Sequence, residues 1–116
     1  GDGSAKREVI FVDDIADACL YFMNKKTKEN LINIGTGKDF SIKDYAHFIL
    51  KIIIPNKKIK IIFDKSKPNG TPRKVMDIKL AKKYGWKPAG ILNDSILETY
   101  KSFLKENNDT KKYKRK

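Results

Sequence analysis

Residues 65–74 form the stretch of this sequence that is best suited to bind an anion. The segment, KSKPNGTPRK, contains four cationic side chains, two prolines and one glycine. Because proline fixes φ and has no N–H group, neither a helix nor a central strand is expected here. We therefore predict an ordered loop that presents positive charge, and we refer to residues 65–74 as the basic loop.

Residue groups typical of catalysis are not apparent elsewhere in the sequence. A catalytic site needs a nucleophile with a base, two convergent carboxylates or a metal ion. Asp13 and Asp14 are adjacent, so they do not converge on a helix, and we interpret them as its N-cap. His47 and Cys19 are each the sole residue of their type, so neither a metal site nor an internal disulfide is expected. Cys19 is interpreted as a small buried hydrophobic residue.

A Gly-Thr-Gly sequence at residues 35–37 resembles the start of a dinucleotide-binding fingerprint. Phe40 stands where that fingerprint has its third glycine. The acidic residue that should follow within a complete βαβ unit is also missing. We therefore interpret residues 35–37 as a plain turn.

The composition is that of one folded domain with a large excess of positive charge. The chain has 116 residues, 40% of them hydrophobic, and a formal net charge of +12, which favours a folded body over a disordered chain. Three of its 26 cationic residues are arginines, whereas nucleic-acid recognition relies heavily on arginine. The lysines therefore indicate a solvated surface, with a stand-alone nucleic-acid-binding module as the alternative.

Targeting signals are also missing from the sequence. No apolar run approaches the length of a membrane span, and no signal peptide opens the chain. A single cysteine fits a reducing compartment, so we expect a cytoplasmic protein. The sequence starts at Gly1 without a methionine, and we expect it to be a fragment.

Periodicity predicts an α/β fold with short strands and about four helices. The apolar run at residues 7–12 predicts a strand buried on both faces. Further short strands are expected at residues 31–34 and 59–63. The first helix is expected to begin at Asp13 and to end before Asn30, and the second to begin at a capping box at residues 41–44 and to end at Pro55. The third is expected to run from Asp77 to the residue before Gly85, and the fourth from Asn93 to about Glu106.

Three of these helices have apolar stripes that are expected to face the core. The stripe of the last helix consists of Ile96, Leu97, Tyr100, Phe103 and Leu104. The stripe of the second helix runs from residue 42 to residue 53. Trp86 is expected to pack back on the body, and residues 107–116 are expected to form a frayed polar tail. The stripe of the first helix consists of Ile15, Ala18, Cys19, Phe22 and Met23.

Two stretches resemble the extended short-chain dehydrogenases/reductases, the NAD-dependent epimerase/dehydratase family. Residues 1–18 contain R-E-x-x-x-V-D-D followed by a hydrophobic residue and alanine. This pattern resembles the segment that enters the C-terminal substrate-binding part of those enzymes. Residues 66–77, continuing to Gly85 and Trp86, resemble GDP-L-fucose synthases in particular. Residues 32–37 and 98–104 fit the same family in the same order.

The resemblance implies a role in nucleotide-sugar metabolism. Members of that group are NADP-dependent oxidoreductases and isomerases, since they epimerise and reduce GDP-4-keto-6-deoxy-D-mannose to GDP-L-fucose. Their Rossmann domain and their catalytic Ser and Tyr-x-x-x-Lys lie upstream, so this chain is expected neither to hold NADP nor to catalyse alone. The expected partners are the GDP-sugar, that N-terminal Rossmann domain and, for the full-length enzyme, a second copy in a homodimer. Residues 1–107 would be the C-terminal substrate-binding domain and residues 108–116 a basic flexible tail.

The resemblance further implies a set of substrate-binding residues. The position of Arg7 binds substrate in the family, and the cations of the basic loop face the nucleotide diphosphate. Lys60 stands where relatives often have a basic contact. The expected set is Arg7, Lys60, Lys67, Arg73 and Lys74. Because Arg7 and the basic loop would grip the diphosphate from two sides, alanine at position 7 or 73 is expected to cost about 2 kcal/mol of binding.

Overall fold

The computed structural model describes residues 1–113, and the side chains of residues 1–107. The described residues form three two-residue strands and four helices. The expected α/β class, with short strands and about four helices, is therefore confirmed. In chain order the elements are β1 (Lys6–Arg7), α1 (Val12–Met23), β2 (Phe40–Ser41), α2 (Ile42–Ile53), β3 (Arg73–Lys74), α3 (Lys79–Lys83) and α4 (Leu92–Tyr113).

Strand β1 lies at the centre of the sheet, whose strand order is β2-β1-β3. It runs antiparallel to β2 and parallel to β3, with Arg7 opposite Lys74. Two hydrogen bonds extend the contact with β3. The amide of Lys6 donates to the carbonyl of Pro72 over 2.8 Å, and that of Glu8 donates to the carbonyl of Lys74 over 3.2 Å. The sheet thus ties the end of the basic loop to the start of the domain.

The prediction that the apolar runs form strands is wrong. Residues 7–12 are not a strand buried on both faces, because α1 already begins at Val12. Val9 and Val12 are 51% and 69% exposed. In the described part of the chain, residues 31–34 and 59–63 form no strand either. Their β-rich composition gives a local preference, but a strand also needs a neighbour that completes its ladder of hydrogen bonds.

Helix α1 packs through only part of the apolar stripe that the sequence predicts, because Ala18 and Phe22 face the core whereas Ile15 is exposed. Its buried residues are Asp14 and Ala18, and Phe22 packs against the core. Cys19 is exposed, as is Met23, so the interpretation of Cys19 as a buried residue is wrong. The carboxylate of Asp14 binds main-chain donors inside the domain, so the Asp14 side of the helix also faces inward.

The two long helices expected in the first half of the chain begin differently. Phe11 is the N-cap of α1 and makes no side-chain cap, so the capping role expected for Asp13 and Asp14 is wrong. Helix α2 does have the expected capping box. The amide of Asp44 donates to the hydroxyl of Ser41 over 3.0 Å, and the Asp44 carboxylate accepts from the Ser41 amide over 3.1 Å.

The hydrophobic core is small and centres on one tryptophan. Trp86 is 3% exposed and contacts Ala18 of α1 and Ala81 of α3 within one buried cluster. The expectation that Trp86 packs on the body is confirmed. Partly buried residues packed around this centre are Ile10, Tyr21, Phe22, Ile32 and Ile34.

Helix α3 ends in a Schellman motif that sets the position of Trp86. The amide of Gly85 donates to the carbonyl of Lys82, and the amide of Trp86 to that of Ala81, both over 2.9 Å. Gly85 has φ +94°, a value that residues with a side chain rarely adopt. The C′ role expected for Gly85 is confirmed.

Replacing Gly85 by alanine should lower the free energy of unfolding by about 1–2 kcal/mol, because alanine resists this positive φ. Its Cβ would also stand 2.9 Å from the hydroxyl oxygen of Tyr21. Urea unfolding followed by circular dichroism measures the change. Lys83→Ala is the control, since that side chain is exposed, and its free energy of unfolding should stay within about 0.5 kcal/mol of the parent's. A Gly85→Ala midpoint equal to the control's would contradict the assignment.

Helix α4 is longer than expected. It begins at Leu92, one residue before the expected start at Asn93, and continues to Tyr113 rather than ending near Glu106. Residues 114–116, the end of the basic tail, lie outside the described residues, so the flexibility expected for residues 108–116 stays a prediction. Among the helices that the structure describes, none has both the length and the apolar composition needed to cross a bilayer.

Candidate anion-binding site

Arg7 lies against the basic loop. Its Nη1 donates to the carbonyl of Lys6 over 2.6 Å and to the carbonyl of Thr71 over 2.7 Å. Its Nη2 borders Gly70, 3.5 Å from where a Cβ on that residue would stand. Arg7 as a whole is half-buried. The structure therefore brings Arg7 and residues 70–71 together.

The sheet register divides the other cations of this region between two faces. Arg7 is paired with Lys74, and Lys6 with Arg73. Paired residues of neighbouring strands point to the same face, and successive residues point to opposite faces. Arg7 and Lys74 consequently share one face of the sheet, whereas Lys6 and Arg73 share the other.

Arg73 is engaged by a carboxylate on its face of the sheet. Its Nε and Nη2 both donate to Asp39, the second over 3.1 Å. The Asp39 side chain is 9% exposed and that of Arg73 63% exposed. Hydrogen bonding from Arg73, helped by its charge, holds the pKa of Asp39 below its ordinary value. Asp39 lies 34 positions from Arg73, and nothing in the sequence pointed to this pair.

The remaining two expected substrate-binding residues are exposed lysines. Lys60 lies in the irregular segment that precedes the basic loop, and Lys67 lies within the loop. Neither ammonium group forms an ion pair within the described residues. The turn at Lys67 is fixed by its amide, which donates to the carbonyl of Asp64 over 3.3 Å. The structure does not bring these two lysines into contact with Arg7.

Glu8, which the sequence analysis did not single out, binds the Gly-Thr-Gly turn. Its Oε1 accepts hydrogen bonds from the amide and hydroxyl of Thr36, the latter over 3.0 Å, and from the amide of Gly37 over 2.7 Å. Its Oε2 accepts from the amide of Met76 over 2.6 Å. Gly35 has to lack a side chain, because a Cβ there would stand 2.5 Å from Oε1. The plain-turn interpretation holds, with a carboxylate at its centre. An acid beside Arg7 and a glycine-rich turn were the available signals.

The carboxylate of Glu8 should make stability depend on pH. Burial raises its pKa, but hydrogen bonds from Met76, Gly37 and Thr36 outweigh burial and hold the pKa below its ordinary value of 4.5. A lowered folded-state pKa gives stability that is complete above the unfolded value and is lost as the pH falls through the folded value. Urea midpoints of the parent and Glu8→Gln should thus differ most near neutral pH and converge in acid. A difference that is constant with pH would contradict this account.

Two acidic residues of α1 anchor the domain rather than perform chemistry. Asp14 is buried, and its Oδ1 accepts from the amides of Ala89 and Gly90 over 2.9 and 3.0 Å. Asp17 accepts from Nε1 of Trp86 over 2.9 Å. Both carboxylates are thus occupied by donors from the segment before α4. No group of three or more His, Cys, Asp or Glu side chains suited to a metal ion occurs among the described residues.

A second concave surface is apolar. A groove of about 920 Å³ lies between residues 9–12, α2 and α4. None of the expected substrate-binding cations lines it. Its walls include Phe11, Ile49, Ile96 and Phe103, and several large hydrophobic residues there are exposed. Contiguous apolar surface of this kind marks a contact surface more often than a site for a charged ligand.

Comparison with known proteins finds a family model that matches part of the chain and several relatives that are similar over most of it. Residues 1–35 match the model of the NAD dependent epimerase/dehydratase family. The chain is 38% identical over 104 residues to a protein named "Probable GDP-L-fucose synthase 1" of Oryza sativa subsp. japonica, covering 90% of this chain and 31% of that protein. It is 39% identical over 110 residues to the GDP-L-colitose synthase of Yersinia pseudotuberculosis, covering 94% of this chain and 35% of that protein.

A solved structure extends the similarity to the fold. The crystal structure of a GDP-6-OMe-4-keto-L-xylo-heptose reductase from C. jejuni superimposes with a TM-score of 0.78 at 33% identity. The match covers 91% of this chain and 33% of the reductase. The chain therefore spans about a third of the length of the relatives that it matches. The nucleic-acid alternative gains no support from these similarities.

Proposed function

Because this chain is related to the NAD-dependent epimerase/dehydratase family, we propose that it is the GDP-sugar-binding part of an enzyme of that family. The proposed reaction of the whole enzyme is the NADP-dependent conversion of GDP-4-keto-6-deoxy-D-mannose to GDP-L-fucose. Its support is the similarity to proteins named GDP-L-fucose synthase and GDP-L-colitose synthase. The observation that carries the binding role is the contact of Arg7 with residue 71 of the basic loop.

The proposed ligand matches the chemistry of this region. A diphosphate is best held by several cations together with backbone N–H groups. Arg7 is half-buried beside the loop, and Lys74 is its partner on the same face of the sheet. Charged hydrogen bonds strengthen where water is partly excluded. Arg7 is therefore the primary proposed contact and Lys74 the second.

The other members of the proposed substrate-binding set would contribute less. Arg73 already shares its guanidinium with Asp39, so a phosphate would have to compete with a carboxylate. Lys60 and Lys67 are exposed, and exposed charges interact weakly through water. We propose that these three residues attract the ligand at longer range, whereas Arg7 and Lys74 contact it.

The described residues do not fit the dinucleotide cofactor that the family uses. The Gly-Thr-Gly turn is the feature most similar to a dinucleotide cradle, but its N–H groups donate to the Glu8 carboxylate. That negative charge would repel a pyrophosphate. We therefore propose that NADP and the reacting residues lie in a Rossmann domain upstream of residues 1–107. We also propose that the complete enzyme is a homodimer.

The apolar groove is the proposed contact surface for that Rossmann domain. Hydroxyl-radical footprinting of the chain alone should label Phe11 and Phe103 in the groove, and the longer enzyme should protect both. Ile62, which is exposed outside the groove, is the control residue and should be labelled equally in both proteins. Equal labelling of the groove in both proteins would exclude this surface as the contact with the Rossmann domain.

Sedimentation of the longer enzyme tests the homodimer.

Calorimetric titration of the chain with GDP tests the binding proposal. We expect saturable binding that weakens as salt is added, because cations hold the diphosphate. Guanosine, which lacks phosphate, is the matched control and should not bind. Failure to bind GDP at low salt would overturn the proposal. A single-stranded oligonucleotide that binds more tightly than GDP, with loss on removal of residues 108–116, would favour the nucleic-acid alternative.

A further inference from the structure

The carboxylate of Glu8 joins three separate segments of the domain. Glu8 directly follows Arg7, the last residue of β1, and its carboxylate accepts hydrogen bonds from the turn at residues 36–37 and from Met76. Met76 lies two positions after Lys74, the strand partner of Arg7. The main chain of Glu8 reinforces this link, since its amide donates to the carbonyl of Lys74 over 3.2 Å. Glu8 therefore holds residues 74–76, which follow the basic loop, through both its own main chain and its own side chain.

We propose that Glu8 is a positioning residue that holds Lys74 beside Arg7 for the same diphosphate. This inference rests on the proposed function. The chain from Lys74 to Met76 is exposed, so packing alone does not hold it. We call the hydrogen bonds from Thr36, Gly37 and Met76 to the Glu8 carboxylate the clamp. The clamp at Met76 and the sheet pairing at Lys74 together set where the Lys74 ammonium lies. Without the clamp, the strand partner of Arg7 would be held by main-chain hydrogen bonds of a two-residue strand alone.

The hydrogen bonds of Glu8 also explain why it forms no ion pair with Lys74. Glu8 and Lys74 line the same small pocket, together with Ile34 and Met76. Four donors nevertheless occupy the carboxylate oxygens. Within the described residues Lys74 forms no ion pair. Because the carboxylate is engaged by three backbone N–H groups and one hydroxyl, the ammonium of Lys74 stays available to an external anion.

Amide hydrogen exchange and GDP titration of Glu8 variants test this inference together. In Glu8→Ala, the amides of Thr36, Gly37 and Met76 should lose protection, and the Kd for GDP should rise about tenfold or more, equivalent to about 1.4 kcal/mol. Glu8→Gln keeps one acceptor oxygen and should lie between the parent and Glu8→Ala. The glutamine variant provides the measurement if the alanine variant does not fold.

Glu29→Gln is the matched control. Glu29 is also a hydrogen-bonded acid with a lowered pKa, and its partner is the Tyr84 hydroxyl at α3, away from the basic loop. This variant should lose stability without a change in the Kd for GDP. If both Glu8 variants fold and keep the parent's Kd within about twofold, the positioning role is overturned. If the parent chain itself does not bind GDP, the proposed function fails. If the amides of Thr36, Gly37 and Met76 are unprotected in the parent, the hydrogen bonds to Glu8 are not stable, and the positioning role is overturned independently of GDP binding.

Discussion

Alanine at position 7 should raise the Kd for GDP by about 30-fold, which corresponds to about 2 kcal/mol. Arg7 is half-buried, and Nη1 of its guanidinium is held by the carbonyls of Lys6 and Thr71. These contacts fix its orientation, so the entropy cost of ordering the side chain is met before a ligand arrives. Calorimetric titration with GDP gives the change directly.

Two further variants separate the charge of Arg7 from its geometry. Arg7→Lys keeps the charge but loses the planar fork, so its Kd should lie between those of the parent and Arg7→Ala. Lys6→Ala is the matched control, since it removes one charge from the neighbouring position on the opposite face of the sheet. If Lys6→Ala and Arg7→Ala weaken GDP binding equally, net charge rather than a site explains the affinity, and the proposed role of Arg7 falls.

Alanine at position 86 should abolish cooperative folding at ambient temperature. Trp86 is 3% exposed and is the largest side chain of the buried cluster. Truncating a buried tryptophan costs about 3–5 kcal/mol, which is close to the whole stability that a small domain can have. Circular dichroism with increasing urea should show no unfolding transition for this variant.

The tryptophan also has a polar contact that a second variant isolates. Trp86→Phe keeps most of the apolar contact but removes the hydrogen bond from Nε1 to Asp17. We expect it to fold with a loss of about 1–3 kcal/mol, since a smaller ring leaves a space and Asp17 loses its donor. A Trp86→Ala protein that unfolds at the same urea concentration as Trp86→Phe would show that the core does not depend on this residue.

Helix α2 illustrates what the sequence determines locally. Its capping box, its apolar stripe and the proline that follows it are all encoded within residues 41–55, and the helix occupies Ile42–Ile53 as expected. The end of α3 at Gly85 was predictable for the same reason. Each of these features depends on hydrogen bonds between residues a few positions apart, and such bonds leave a recognisable order of residue types.

The strands and the face of α1 depend on distant partners instead. β1 pairs with residues near positions 40 and 73, so composition alone could not define its ends. Asp14 turns inward because Ala89 and Gly90 supply N–H donors more than 70 positions away. A carboxylate at the start of a helix usually serves as a cap, and the local pattern therefore did not predict that Asp14 is buried.

The candidate site shows the same division. Arg7 and the basic loop were recognisable from their residue types, and the structure brings residues 7 and 71 into contact. The bond of Arg73 to Asp39 and that of Glu8 to Met76 span 34 and 68 positions. Acids that pair across such distances look like ordinary surface residues in a sequence with 14 acidic and 26 basic side chains.

The turn at residues 36–37 binds an anion that is part of the same chain, the carboxylate of Glu8. Glu8 belongs to the same chain, and even flexible tethers supply effective concentrations of millimolar order. The sheet holds β1, and with it Glu8, in place, so a free phosphate has to displace a competitor that never diffuses away. The N–H groups of this turn are therefore not available to an external anion, and the basic loop is left as the candidate site for it.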